Sequence, residues 1–119
     1  MAEHNQLGKE GEEQAVLFLL NKGYRILERN WRCQKAEVDV IAVKADVIIA
    51  VEVKARSTTH FGNPQDFVNP KKVRLLVEAM DNYIRSHNLD CSVRFDIIAV
   101  VYKNSNFELE HIEDAFLYF

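Results

Sequence analysis

Cysteine is almost missing from this chain: there are two, Cys33 and Cys91, far apart and with no Cys-x-x-Cys pair. That spacing excludes zinc-finger and thioredoxin-type sites and reads most simply as free thiols in a reducing compartment. Prolines (2) and glycines (4) are too few for long flexible linkers. Unbroken apolar runs such as Val47 to Val51 and Ile97 to Tyr102 fall far short of the ~20 residues that a membrane-spanning helix needs. No Gly-x-Gly-x-x-Gly or Walker-type loop follows any predicted strand, which argues against a doubly wound nucleotide-binding fold. The N-terminal stretch is polar and acidic, with no apolar segment behind a positive start, so no signal peptide is expected and a cytoplasmic location is. A net charge of −3 excludes a uniformly basic nucleic-acid-binding coat, but not a local basic patch.

What is present fits one globular domain spanning 1–119, with 48% hydrophobic and 28% charged residues. Asn5 to Lys22 reads as a helix that Asn5 can cap, with Gly8, Gly11, Ala15, Phe18 and Leu19 recurring on one face and Gly23 as its stop. Tyr24 to Trp31, Glu37 to Val43 and Val47 to Ala55 read as strands, the last two joined by a hairpin turn at Lys44-Ala45-Asp46. Thr58 to Asn69 reads as a loop. Pro70 opens a second helix running to about His87. Val93 to Tyr102 is a fourth strand and Phe107 to Ile112 a short fifth. The order α-β-β-β-α-β with a short tail predicts a mixed sheet flanked by helices.

Several polar residues violate this pattern. Glu12 falls near the middle of the first helix's apolar face, where a carboxylate is costly unless paired or metal-bound. Glu13 lies at the edge, where Lys9 can pair with it. In the third strand, alternation puts Glu52 and Lys54 on the face shared by Ile48 and Ala50. In the second, Glu37, Asp39 and Ile41 share a face. If these strands form a hairpin, Asp39 and Glu52 can lie on one sheet face, within bridging reach of one metal ion. Their hard oxygens suit Mg²⁺ or Mn²⁺, and a lysine beside them can stabilise developing negative charge or orient a water. The rival account is a cross-strand salt bridge at a half-exposed sheet edge.

On the second helix, Lys72 continues the apolar stripe of Leu75, Leu76, Ala79, Met80 and Tyr83, and Lys71 lies at its margin. From Lys54 to Arg74 there are five basic side chains (Lys54, Arg56, Lys71, Lys72, Arg74) against one acid, Asp66. In an acidic chain this local excess suits a phosphate backbone. The four histidines show no ligand spacing and read as surface or loop residues. Ser57, Thr58 and Thr59 have no base with a sequence signature, so nucleophilic serine chemistry has no support. Trp31, between Arg29 and Arg32, reads as a core or edge tryptophan ahead of a base-stacking one.

These segments in order resemble the YraN family, also called UPF0102, of the PD-(D/E)xK restriction-endonuclease-like superfamily. The matching residues are Gly8-x-x-Gly11-Glu12-x-x-Ala15, Gly23-Tyr24-x-Ile26-Leu27-x-x-Asn30, Glu37-Val38-Asp39-Val40-Ile41-Ala42, Val51-Glu52-Val53-Lys54-x-Arg56, Phe61-Gly62, Lys72 and Arg94-Phe95-Asp96. Ala36 stands where the family usually has glycine, and Val38 where the superfamily usually has proline. The resemblance implies an αβββαβ nuclease-like core. It places the superfamily's metal-binding acids on Asp39 and Glu52, its lysine on Lys54 and a helix glutamate on Glu12. The expected function is a Mg²⁺- or Mn²⁺-dependent nuclease-like protein acting on DNA, with RNA left open. Glu12, Asp39, Glu52 and Lys54 would carry catalysis, and Arg56, Lys71 and Lys72 would hold flanking phosphates. A homodimer or a DNA-processing partner protein would extend the small binding surface. The alternatives are a nucleic-acid-binding module without cleavage and a protein-interaction subunit of a DNA-processing machine.

Overall fold

A computed structural model describes residues 2–57 and 69–115, with side chains from residue 6 onward in the first segment. The elements are α1 (Ala2–Asn21), β1 (Arg25–Cys33), β2 (Ala36–Lys44), β3 (Val47–Arg56), α2 (Pro70–Ser86), β4 (Ser92–Lys103) and β5 (Asn106–Ile112). The strands form one sheet in the order β1-β2-β3-β4-β5. Only β3 and β4 run parallel, because α2 carries the chain across between them. The predicted mixed sheet between helices is therefore what the chain forms, and it is compatible with a restriction-endonuclease-like core. Helix α1 begins at Ala2, so Asn5 lies inside it and is not its cap. The predicted loop of Thr58 to Asn69, with Phe61-Gly62 and His60, falls almost wholly outside the described residues.

Each helix covers one face of the sheet. Ala15, Val16 and Leu19 of α1 pack with Val40, Ala42, Ile49, Val51, Ile98 and Val100. Leu76, Ala79, Met80 and Tyr83 of α2 pack with Val38, Ile41, Ile48, Ala50 and Phe95. Trp31 belongs to this second core, edge-on to Tyr83 with ring centroids 5.2 Å apart. Gly23 ends α1 at φ 90°, a conformation glycine adopts without steric cost. At the start of α2, Pro70 needs no hydrogen-bond donor, and the Asn69 side chain accepts the Lys72 N–H at 2.9 Å. Both cysteines are free thiols.

Gly11 sets the distance between α1 and β3. A Cβ built there would lie 2.6 Å from the Cβ of Ala55. Close approach at this point carries the next residue, Glu12, against the sheet. Gly11→Ala should therefore destabilise the protein by roughly 1–2 kcal/mol despite alanine's better helix propensity, because the helix must lift from the sheet. Urea or thermal unfolding measures it, and an unchanged or raised stability would contradict the packing account.

The α1 side also holds a buried polar hub. Asp96 is fully buried and accepts four hydrogen bonds: two from Arg94 (2.9 and 2.8 Å), one from His111 Nε2 (2.7 Å) and one from the Asp114 N–H (3.0 Å). Arg94 also donates to the Tyr24 hydroxyl at 2.8 Å. His111 thus corrects the expectation of surface histidines: its side chain is 3% exposed and stands edge-on to Phe18 and Tyr24. Burial alone would raise the Asp96 carboxyl, but the bonds from His111, Arg94 and Asp114 reverse this and hold it below its ordinary value. With its pKa depressed on folding, Asp96 contributes stability above the unfolded value and loses it as pH falls through the folded one. Asp96→Ala should cost about 3 kcal/mol at pH 7, because it leaves the buried His111 and the partly buried Arg94 without their shared acceptor. The deficit should narrow in strong acid, where wild type loses the same contribution. Denaturation at the two pH values checks both.

Candidate active site

Strands β2 and β3 pair from Lys44↔Val47 to Val40↔Val51 and separate beyond that point. Extending the register would set Asp39 opposite Glu52. On its other side β2 pairs with β1 at Arg29↔Val40 and again at Trp31↔Val38, leaving Asn30 and Asp39 as a facing pair outside the ladder. Side-chain alternation breaks at the same place. Val38 enters the α2-side core and Val40 the α1-side core, although residues two apart on a regular strand share a face. The expectation that Glu37, Asp39 and Ile41 share a face is therefore corrected. Ile41 enters the α2-side core, and Glu37 pairs with Arg32 at 3.0 Å. Asp39 lines a cleft of about 360 Å³ with Gly8, Lys9, Glu12, Asn30, Val53 and Ala55.

The irregularity has a local cause. Past Val51 the β3 backbone has lost its β2 partner, and the Asp39 carboxylate takes over: its Oδ2 accepts the Val53 N–H at 2.8 Å. The expectation that Asp39 and Glu52 share a sheet face is corrected: Asp39 lines the α1-side cleft, and Glu52 projects to the α2 side, 5% exposed. There it pairs with Lys72 from α2 and lies 3.6 Å from Lys54 Nζ. The sequence places Lys54 beside Glu52 and Lys72 in the cleft, and the structure brings both to Glu52. Glu12 is turned inward, 15% exposed, and its Oε1 accepts a 2.8 Å bond from Asn30 Nδ2 and lies 3.6 Å from Arg29. Glu13 pairs with Arg29 at 2.9 Å rather than with Lys9.

The acids sense one another. Burial raises the Asp39 carboxyl to about 7, the negative charge of Glu52 and then of Glu12 adds to the rise, and the Val53 N–H and Lys72 oppose it. Each acid has one engaged oxygen and one without a hydrogen-bond partner among the described residues: Asp39 Oδ1, Glu52 Oε1 and Glu12 Oε2. Among the described residues no three acids, histidines or cysteines are gathered closely enough to hold a metal together. The three expected ligands thus do not form a ready-made cage. The donor set still fits a hard cation: Mg²⁺ commonly takes one or two carboxylates and completes its shell with water and phosphate oxygens. Asp39 and Glu52 supply that pair, with Glu12 near enough to act through water.

Of the phosphate-binding candidates, Lys71 is exposed at the start of α2, where Lys35, Asn69 and Lys72 line a second recess. Arg56 is exposed at the end of β3 and donates to the Ala55 carbonyl at 2.9 Å. Sequence reasoning gave no site role to Asn30, Arg29 or Lys9. The polar run Glu28-Arg29-Asn30 inside a strand is the signal that could have found the first two.

Because its pKa is raised on folding, Asp39 lowers stability progressively from about pH 4 to about pH 7 and keeps that cost above. Asp39→Asn keeps an acceptor for the Val53 N–H and removes the charge. In metal-free buffer it should be more stable than wild type at pH 8, on the order of 2 kcal/mol, with the gap closing below pH 4. Thermal melts across that range decide it. A lower melting temperature at pH 8 would mark Asp39 as a structural salt-bridge partner.

Comparison with known proteins identifies the family. The family described as "Uncharacterised protein family UPF0102" matches residues 11–100. Over 119 residues covering both chains fully, the sequence is 56% identical to a UPF0102 protein of Flavobacterium psychrophilum and 57% identical to one of Christiangramia forsetii. It is 50% identical to a UPF0102 protein of Phocaeicola vulgatus over 116 residues, 98% of this chain and 96% of that one. With a match across most of its length and full-length relatives at this identity, the chain belongs to the UPF0102 family.

Proposed function

We propose that this protein is a metal-dependent nuclease-like enzyme that binds DNA and hydrolyses its phosphodiester backbone. The observation that carries the reading is the opening between β2 and β3, where Asp39 leaves both ladders at the point where continued register would set it opposite Glu52, close enough for the two charges to act on each other although their side chains leave the sheet on opposite sides. A structural salt bridge would not need a carboxylate withdrawn from two strand ladders and raised to about 7. Asp39 and Glu52 would hold Mg²⁺ or Mn²⁺, with Glu12 acting through a water. When bound, the cation supplies a lowered pKa for a bound water and polarises the phosphate. Lys54 stabilises charge on the transferring phosphoryl oxygens. Lys71, Lys72 and Arg56 hold the flanking phosphates on the exposed side. A chain this small covers little of a duplex, so a second copy or a partner protein would extend the interface. Among the described residues no helix is long and apolar enough to cross a membrane, and the reading places the protein in the cytoplasm with its substrate.

One observation favours a second reading, a nucleic-acid-binding module without cleavage. Lys72 and Lys54 already neutralise Glu52, and a protonated Asp39 would leave the centre balanced without a metal. The third reading, a protein-interaction subunit, predicts no salt-dependent DNA binding.

A panel of branched, flapped, single-stranded and duplex DNA, with Mg²⁺ or Mn²⁺, tests the proposal. Lys54→Met is the sharpest variant. It keeps the apolar stem, so Mn²⁺ affinity should hold or rise and DNA affinity should weaken slightly. Single-turnover cleavage should fall about 10²-fold or more. Unchanged cleavage with a lowered melting temperature would make Lys54 a salt-bridge partner only.

A further inference from the structure

We propose that Asn30 is a positioning residue of this site, whose side-chain amide holds the Glu12 carboxylate toward the cleft shared with Asp39. The proposal deepens the metal-site reading above and rests on it. The first observation is backbone conformation. Gln34, Ala45, Asn88, Asn104, Ser105 and Asp114 have positive φ and all lie in turns, where it is routine. Asn30 has φ 54° in the interior of β1, with strand pairing on both sides, at Arg29↔Val40 and Trp31↔Val38. A left-handed residue inside a strand is retained where the surroundings enforce it, and such outliers gather at functional sites.

The second observation is what the distortion achieves. Asn30 is the ladder partner that Asp39 lacks, and both line the same cleft. Its amide donates to Glu12 Oε1 at 2.8 Å, leaving Oε2 without a partner among the described residues. Arg29 forms only a looser ion pair with Glu12 at 3.6 Å and bonds Glu13 at 2.9 Å, so the hydrogen bond that orients Glu12 is the Asn30 amide's. A neutral donor orients a carboxylate without cancelling the negative charge that attracts a cation. Glycine would take the same backbone conformation at lower cost, so the choice of asparagine points to use of the side chain.

Asn30→Gly and Asn30→Ala separate the two roles, each measured at a temperature where the variant is folded. Asn30→Gly keeps the backbone and deletes the amide. It should melt near the wild-type temperature, while Mn²⁺ affinity falls about 10-fold or more, the scale of losing a partner behind a metal ligand. Cleavage should fall in kcat with KM for DNA held. Asn30→Ala should show the same loss of Mn²⁺ affinity and also melt lower. In a Glu12→Ala background, Asn30→Gly should add no further loss of Mn²⁺ affinity, because Asn30 acts through Glu12. Wild-type Mn²⁺ affinity in Asn30→Gly, or additive losses in the double variant, would overturn the proposal while leaving the site reading standing. Wild-type protein that takes up no Mn²⁺ would defeat the site reading and this proposal with it.

Discussion

The bond from the Val53 N–H to the Asp39 carboxylate is the constraint on which the site depends. Two antiparallel strands that part before their ends leave backbone donors and acceptors to satisfy. Here a side chain substitutes for the missing strand, and the split can stay open between Val40↔Val51 and the strand ends. The same bond fixes Asp39 beside Glu52. Both helices then register on the opening: Gly11 lets α1 approach Ala55 and brings Glu12 in, and the Asn69 cap starts α2 so that Lys72 reaches Glu52. A local defect in β-pairing thus gathers groups from three layers of the fold.

Asp39 and Asp96 show how partners decide the fate of a buried acid. Asp96 is paired in register with Val51, the last β3 residue held by β2, so it lies close to the split. Burial pushes both carboxyls upward. Asp96 has four donors, two of them from a guanidinium, and stays ionised below its ordinary range. Asp39 has one donor and two acidic neighbours, and rises to about 7. The first acid is saturated and serves the join of β4, β5 and Tyr24. The second keeps an oxygen open and its carboxyl raised to about 7, as the proposed reactive centre would require.

The element order and most strand limits were legible because each element carries its own pattern: the α2 stripe at helical spacing, and the strand-length apolar run from Val47 to Val51. Glu52, Lys54 and Lys72 were legible as polar residues in apolar patterns, and the structure joins all three. Asp39 was legible as a polar residue in an apolar strand but not in its orientation, since alternation assumes an unbroken ladder and the break at Asn30 and Asp39 leaves no mark in the hydrophobic pattern. Asp96 stands inside the apolar run from Phe95 to Val100, the same kind of signal as Glu52. His111 could not be placed from its neighbours, because its burial comes from a partner fifteen residues earlier (|i−j| = 15) on the adjacent strand. Local periodicity records which face a residue takes; it does not record pairing across strands.

The three acids around the split are held by chemically different donors: a backbone amide for Asp39, the neutral Asn30 amide for Glu12 with Arg29 3.6 Å away, and ammonium groups for Glu52. These differ in how much negative charge they leave. Amides orient a carboxylate and keep its charge, whereas a lysine offsets it. The strongest offset falls on Glu52, the most buried of the three, where an unpaired charge would cost most, while Glu12 has only the looser Arg29 pair. Lysine is also the more yielding partner, a point charge on a flexible stem whose three donors rotate freely, unlike the fixed fork of an arginine. A cation entering between Asp39 and Glu52 would compete with an ammonium that can move toward a phosphate, and not with a bidentate guanidinium locked in place. Arginine is used for the opposite purpose at Asp96, where the pair is meant to stay closed. The choice of donor at each acid separates the part of the sheet that is held closed from the part that, on the proposed function, would exchange ligands.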